Sequence, residues 1–197
     1  MKSSSKMSFS TGGLFVNESV EVARMHEATG DWNETIARAL VEGPTCLPKL
    51  ASNRRTLREI ANRVSCLTDE ERQFLIERAD RMEKQALLWV ATCRAYAFVR
   101  DFATEVIQER LMSYRPDLPL DTFDQFYDLR AEWDEQLAAI SPGTRRKLRQ
   151  VLFRIMREAG IINDANAIQP AYVSASLRAL INDTAPGDLV VFPGLRS

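Results

Sequence analysis

Ser141-Pro142-Gly143-Thr144-Arg145-Arg146-Lys147-Leu148-Arg149-Gln150-Val151-Leu152-Phe153-Arg154-Ile155-Met156-Arg157-Glu158-Ala159-Gly160 reads as one amphipathic helix punctuated at both ends. The Ser141 hydroxyl can accept from a free amide of the first turn, Pro142 fits the first helical position, and Gly160 suits the terminator. Leu148, Val151, Leu152, Ile155 and Ala159 share one face, while Arg146, Arg149, Gln150, Arg154 and Arg157 share the other. Phe153 falls within the polar arc, which suits docking on another part of the chain or on a partner.

Working outward, Gly160-Ile161-Ile162 and Ala167-Ile168-Gln169-Pro170-Ala171-Tyr172-Val173 flank Asn163-Asp164-Ala165-Asn166 and predict two short strands around a turn. Ser174 caps a last helix to about residue 182, and residues 189–192 read as a closing strand or an extended tail. Upstream, Asp121 can cap a helix carrying Phe123, Phe126, Tyr127 and Trp133. Two helices, an Arg-rich third and a hairpin follow the order of a winged helix-turn-helix, an order that many small α+β domains share.

The amino-terminal half reads as a helical bundle. Ser10 or Thr11 can begin a helix that Gly30 ends. Asp31 with Glu34 opens a second, stopped by Gly43-Pro44. Leu57, Ile60, Ala61, Val64 and Leu67 give a third its apolar stripe, and Thr68 with Glu71 forms a capping box for a fourth. Neither Gly nor Pro interrupts residues 81–112, which predict a central helix about 45 Å long. The expected fold is mainly α: a bundle at 10–113 around that helix, then a winged-helix-like unit at 118–197 with a short β-hairpin.

The whole chain has 197 residues, with 26 Lys+Arg against 27 Asp+Glu, 8 Gly and 8 Pro. Gly and Pro together fall below the usual share of about 12%, which favours helix over many-stranded sheet. The net charge of -1 excludes a uniformly basic coat protein and makes the distribution of charge the informative quantity. Residues 144–157 hold Arg145, Arg146, Lys147, Arg149, Arg154 and Arg157 without an acid, a local charge of +6. Such a helix can set Arg forks on phosphates or on guanine edges in duplex DNA. The competing reading is a solvated face neutralised by the acids Asp117, Asp121, Asp124, Asp128, Glu132, Asp134 and Glu135. A second basic patch holds Lys49, Arg54, Arg55, Arg58 and Arg63 against Glu59, and serves equally as a second nucleic-acid surface or as a solvated helix.

Enzymatic readings find little support. His26 is the one histidine, and nucleophile-base or metal constellations usually need more imidazole or clustered Cys, so no cofactor or metal is expected. The acidic stretch spaced along a helix suits solvation better than a two-metal nuclease. Cys46, Cys66 and Cys93 lack C-x-x-C spacing, and no basic apolar leader precedes them, which reads as a reduced, cytoplasmic protein. The apolar run 86–99 is short for a membrane span and carries Arg94, so it reads as a buried helix with a paired cation, partnered by Asp101 or an acid on another helix.

Several motifs in order carry a family resemblance. Phe9-Ser10-Thr11-Gly12-Gly13-Leu14, Gly30-Asp31-Trp32, Leu67-Thr68-Asp69-Glu70-Glu71, Ala86-Leu87-Leu88-Trp89, Cys93-Arg94-Ala95-Tyr96, Ala131-Glu132-Trp133 and the block from Thr144 to Gly160 resemble the BrxA family over residues 9–182. The resemblance implies a non-enzymatic component of the BREX bacteriophage-exclusion system. Its partners would be a methyltransferase, a phosphatase-like protein, a large ATPase and a protease-like ATPase. It also implies a mainly helical fold likened to the antitermination protein NusB, with duplex DNA as ligand and RNA as a weaker alternative. The rival class is an adaptor whose basic faces meet acidic partner surfaces.

Overall fold

Asp31 and Thr68 act as the spacing predicts. The Asp31 carboxylate accepts the Glu34 amide at 2.8 Å and opens α2 (Trp32–Glu42). Thr68 and Glu71 form a reciprocal capping box on α4 (Asp69–Glu77), each side chain accepting the other's backbone amide. This computed structural model describes residues 7, 9, 12–43 and 50–195. Ser10, Thr11, Cys46, Pro48 and Lys49 lie outside them. The first helix, α1 (Val16–Thr29), starts after Phe15, and left-handed Gly30 ends it. The third, α3 (Leu50–Val64), buries Leu57, Ile60, Ala61 and Val64, the predicted stripe.

The central helix is broken where the sequence shows no breaker. Instead of one rod over 81–112, the chain forms α5 (Arg81–Ala95), α6 (Ala97–Asp101), a π-helical turn (Phe102–Ile107) and α7 (Gln108–Met112). The break is at Tyr96, which is extended at φ −134° and ψ 102°. Its side chain supplies the reason. The ring is fully buried edge-on to Phe9, and the hydroxyl donates to the Glu59 carboxylate at 2.6 and 2.7 Å from its two oxygens. A buried carboxylate needs such a donor, and reaching it outweighs continuing the helix.

Beyond Pro119 come α8 (Leu120–Ala131), α9 (Glu135–Ala138), α10 (Pro142–Glu158), α11 (Ala175–Thr184) and a 3₁₀ turn (Pro186–Val191). Ser141 and Ser174 cap α10 and α11 through side-chain oxygens, as expected. Asp121 does not cap α8, whose N-cap is Pro119, and Trp133 lies past its end, exposed. The segment 189–192 forms the end of the 3₁₀ turn and not a strand.

The expected β-hairpin and wing are also corrected. Among the described residues the only β pairing is two isolated antiparallel bridges, Ile162 with Ile168 and Asp117 with Ala167. Successive donors of the second arm go to three different segments: Ile168 to Pro116, Gln169 to Ile161, and Ala171 to Pro193. Pro170 contributes no N–H. No two-stranded ladder can propagate from that pattern, and Ile161, Ile162 and Ile168 are buried as core plugs.

One core runs through all of this. Trp89, Phe102, Phe123, Phe153, Leu152 and Phe192 are fully or almost fully buried in the same cluster. The α5 helix lies at its centre, touching α1, α3, α4, α10 and the 3₁₀ turn. Trp89 donates its indole N–H to the Val191 carbonyl at 3.0 Å. Gln108 clamps the tail: its amide nitrogen donates to the carbonyls of Val190, Phe192 and Leu195, and its oxygen accepts from Gly194.

Candidate nucleic-acid interface

The six cations of α10 divide into two sets by their angle around the helix. At about 100° per residue, Arg146, Lys147, Arg154 and Arg157 fall within one arc of about 100°, while Arg145 and Arg149 fall on the flank facing α8. That flank is occupied. Arg145 donates to Asp124 through Nε at 3.0 Å and to Asp128 through Nη2 at 2.9 Å, and its guanidinium lies 4.5 Å over the Tyr127 ring. Arg149 pairs with Asp124 as well. The hydrogen bond from Arg145 holds the Asp128 carboxyl below its usual range, and the Arg145 guanidinium is held above its own. The neutralising reading of the acidic stretch is thus correct for these two arginines.

The outward arc is different. Arg146 and Lys147 are exposed, and no carboxylate pairs with either among the described residues. Arg154 pairs with Glu158 at 2.7 Å on an exposed surface, where such a contact contributes little. Arg157 donates to the neutral Asn166 amide oxygen at 2.6 Å, and no carboxylate pairs with it among the described residues. Phe153, expected within the polar arc, is buried and fixes the roll of α10 against the core.

The second patch also divides. Arg54, Arg55 and Arg58 are exposed on α3. Arg63 is not a surface cation: it is 3% exposed, bridges to Glu59 at 2.7 Å and donates to the Gly13 carbonyl at 2.9 Å. Its place as the C-terminal member of an i,i+4 Glu-Arg pair was visible in the sequence; the burial of both partners was not.

Gly13 is where α3 and α10 meet the amino-terminal strap. The Leu14 amide donates to Glu158 at 2.5 Å, and a Cβ on Gly13 would collide with that carboxylate. Beside this strap opens a cleft of about 870 Å³ lined by Arg81 and Lys84 of α5, Arg154, Arg157 and Glu158 of α10, and Phe15. It thus gathers cations from two helices far apart in sequence. Among the described residues no group of three His, Cys, Asp or Glu could hold a metal ion. Nor is any described helix long and apolar enough to cross a membrane.

A family model described as BrxA matches residues 5–185. The chain belongs to the BrxA family. Two BrxA relatives, each named "BREX protein BrxA", come from Escherichia coli O9:H4 (strain HS) and Paramagnetospirillum magneticum (strain ATCC 700264 / AMB-1). The first is 25% identical over 124 residues, 62% of this chain and 58% of its own length. The second is 26% identical over 104 residues, 53% of this chain and 52% of its own. The matches therefore span little more than half of either relative. A solved structure titled "Crystal structure of an uncharacterized protein from Magnetospirillum magneticum" superposes with TM-score 0.79 at 19% identity, covering 96% of this chain and 98% of that one. That likeness bears on the fold alone.

Within this BrxA-family fold, sequence reasoning missed Arg81 and Lys84. They alternate with Asp80 and Glu83 in a local run of mixed sign. The usable signal was the capping box: Asp80 and Glu83 are consumed in holding each other's backbone amides, which leaves the two cations unmatched.

Proposed function

We propose that this chain is a non-enzymatic, DNA-binding component of a BREX phage-defence assembly, holding duplex phosphates along the outward arc of α10. The BREX part rests on the names of its BrxA relatives. The DNA part rests on one observation: Arg146 and Lys147 stand exposed without carboxylate partners, in line with Arg154 and Arg157, while neighbouring arginines of the same helix are neutralised. From Arg146 to Arg157 the arc runs about 17 Å, enough to follow several phosphates of one strand. Binding of a random-sequence duplex, measured by fluorescence anisotropy at several salt concentrations, tests this. Arg146→Ala/Lys147→Ala weakens binding and flattens its salt dependence; unchanged affinity and slope would remove the assignment.

The adaptor reading has its own support. Leu129 near the end of α8 and Trp133 just past it are 62% and 77% exposed, beside acids that already bind arginine. Pull-down of the methyltransferase and ATPase partners, with and without nuclease, separates direct protein contact from bridging by DNA.

A further inference from the structure

Among the cavities described, the cleft between α1, α5 and α10 is the one with a net positive charge. The groove lined by Val106 and Leu129 holds about 320 Å³ and sets Glu105 and Glu109 against Arg110 and Arg115. The α1–α5–α10 cleft sets four cations, Arg81, Lys84, Arg154 and Arg157, against Glu18 and Glu158. Glu158 is already engaged by the Leu14 amide and by Arg154. The charges of Arg81, Lys84 and Arg157 have no carboxylate pair among the described residues. Its volume of about 870 Å³ lies within the range of small-molecule sites. The rest of the lining suits an organic ligand. Phe15 offers an aromatic ring, and the amides of Asn17 and Gln85 offer donors and acceptors on the same walls. The amino terminus of α1, a helix of more than three turns, adds its partial positive charge to the cations.

We propose that this cleft binds a nucleoside monophosphate unit, its phosphate held by Arg81, Lys84 and Arg157 and its base laid against Phe15. The unit is supplied either as free nucleotide or as the 5′-phosphorylated end of a strand, since both present the same group. The site shares Arg154 and Arg157 with the arc proposed for duplex DNA, but does not rest on that reading, because Arg81, Lys84 and Phe15 lie off α10.

Titration calorimetry with dAMP tests it. The protein binds dAMP saturably, Arg81→Gln/Lys84→Gln weakens binding at least ten-fold, and Phe15→Leu weakens it several-fold by removing the ring while keeping apolar bulk. Arg146→Ala/Lys147→Ala leaves dAMP binding unchanged, so failure of this site and failure of the duplex reading are told apart. Inorganic phosphate and deoxyadenosine each bind at least ten-fold more weakly than dAMP. Absence of saturable binding, indifference to Arg81→Gln/Lys84→Gln, or equal binding of inorganic phosphate overturns the proposal. A short single strand that prefers a 5′-phosphate over a 5′-hydroxyl identifies the strand end as source. No such preference, with dAMP still bound, identifies free nucleotide; either result supports the site.

Discussion

Arg94 of α5 and Asp188 of the closing 3₁₀ turn are 94 positions apart, yet the Arg94 Nε donates to the Asp188 carboxylate at 2.6 Å. The same guanidinium forks onto both oxygens of Glu71, at 2.5 and 2.7 Å, and reaches the Cys66 carbonyl at 2.9 Å. Arg100 joins Asp188 from α6. Burial works against the Arg94 charge, but its hydrogen bonds to Glu71 and Asp188 more than offset it and raise its pKa above the ordinary arginine value. One cation thus ties together a capping box, the central helix and the end of the chain.

Removing that cation strands a buried acid. Arg94→Met leaves Glu71, which has no exposed surface, without its cation and Asp188 with Arg100 alone, and costs about 3–5 kcal/mol of stability. Chemical denaturation measures it; a loss below about 1 kcal/mol would show that the network adds no net stability.

Acid should unfold the protein through the same site. Burial tends to raise the Glu71 pKa, but hydrogen bonds from Arg94, Thr184 and the Thr68 amide hold it below the ordinary 4.5. The unfolded chain therefore binds the proton first. The stabilisation is complete above about pH 4.5 and is lost as pH falls through the lowered folded value. Glu71→Gln is less stable near neutrality and has a shallower acid limb in thermal melts recorded from pH 7 to pH 3.

The division of the α10 cations sets a salt dependence. On the duplex-binding proposal, six phosphate contacts would be expected from the sequence, whereas the outward arc offers four, so the expected affinity falls about 10²-fold between 50 and 200 mM salt. Arg146→Ala/Lys147→Ala halves that slope. Arg145→Ala/Arg149→Ala lowers the melting temperature, because Asp124 loses both partners, and leaves the slope unchanged. Melting curves and anisotropy on the same samples distinguish the two pairs.

Tyr96→Phe keeps the ring in the core and removes the hydroxyl that serves the buried Glu59 carboxylate. The expected cost is about 1–3 kcal/mol. Urea denaturation checks this, and Glu59→Gln, which also takes the carboxylate from the buried Arg63, costs more than Tyr96→Phe.

What the sequence showed and what it concealed follow from the range of the interactions. The caps at Asp31, Thr68, Ser141 and Ser174 act over three residues, so their spacing alone located four helix starts. The kink at Tyr96 depends on Glu59, 37 positions away, and the missing hairpin depends on backbone donors captured by Pro116 and Pro193. No local pattern contains those partners. At the candidate interface, charge sign and helical phase were readable. Which arginines already had carboxylates depended on how α8 lies against α10, and the recruitment of Arg81 and Lys84 depended on how α5 does.

The π-helical turn at Phe102–Ile107 works as a phase shifter between two neighbours. Its one surplus residue turns Gln108 out of register with α6 and aims its amide at the tail carbonyls of Val190, Phe192 and Leu195. Excising a single residue there would regularise the helix yet swing Gln108 by about a quarter of a revolution. The carboxyl-terminal strip would come unlatched although none of its own residues had changed.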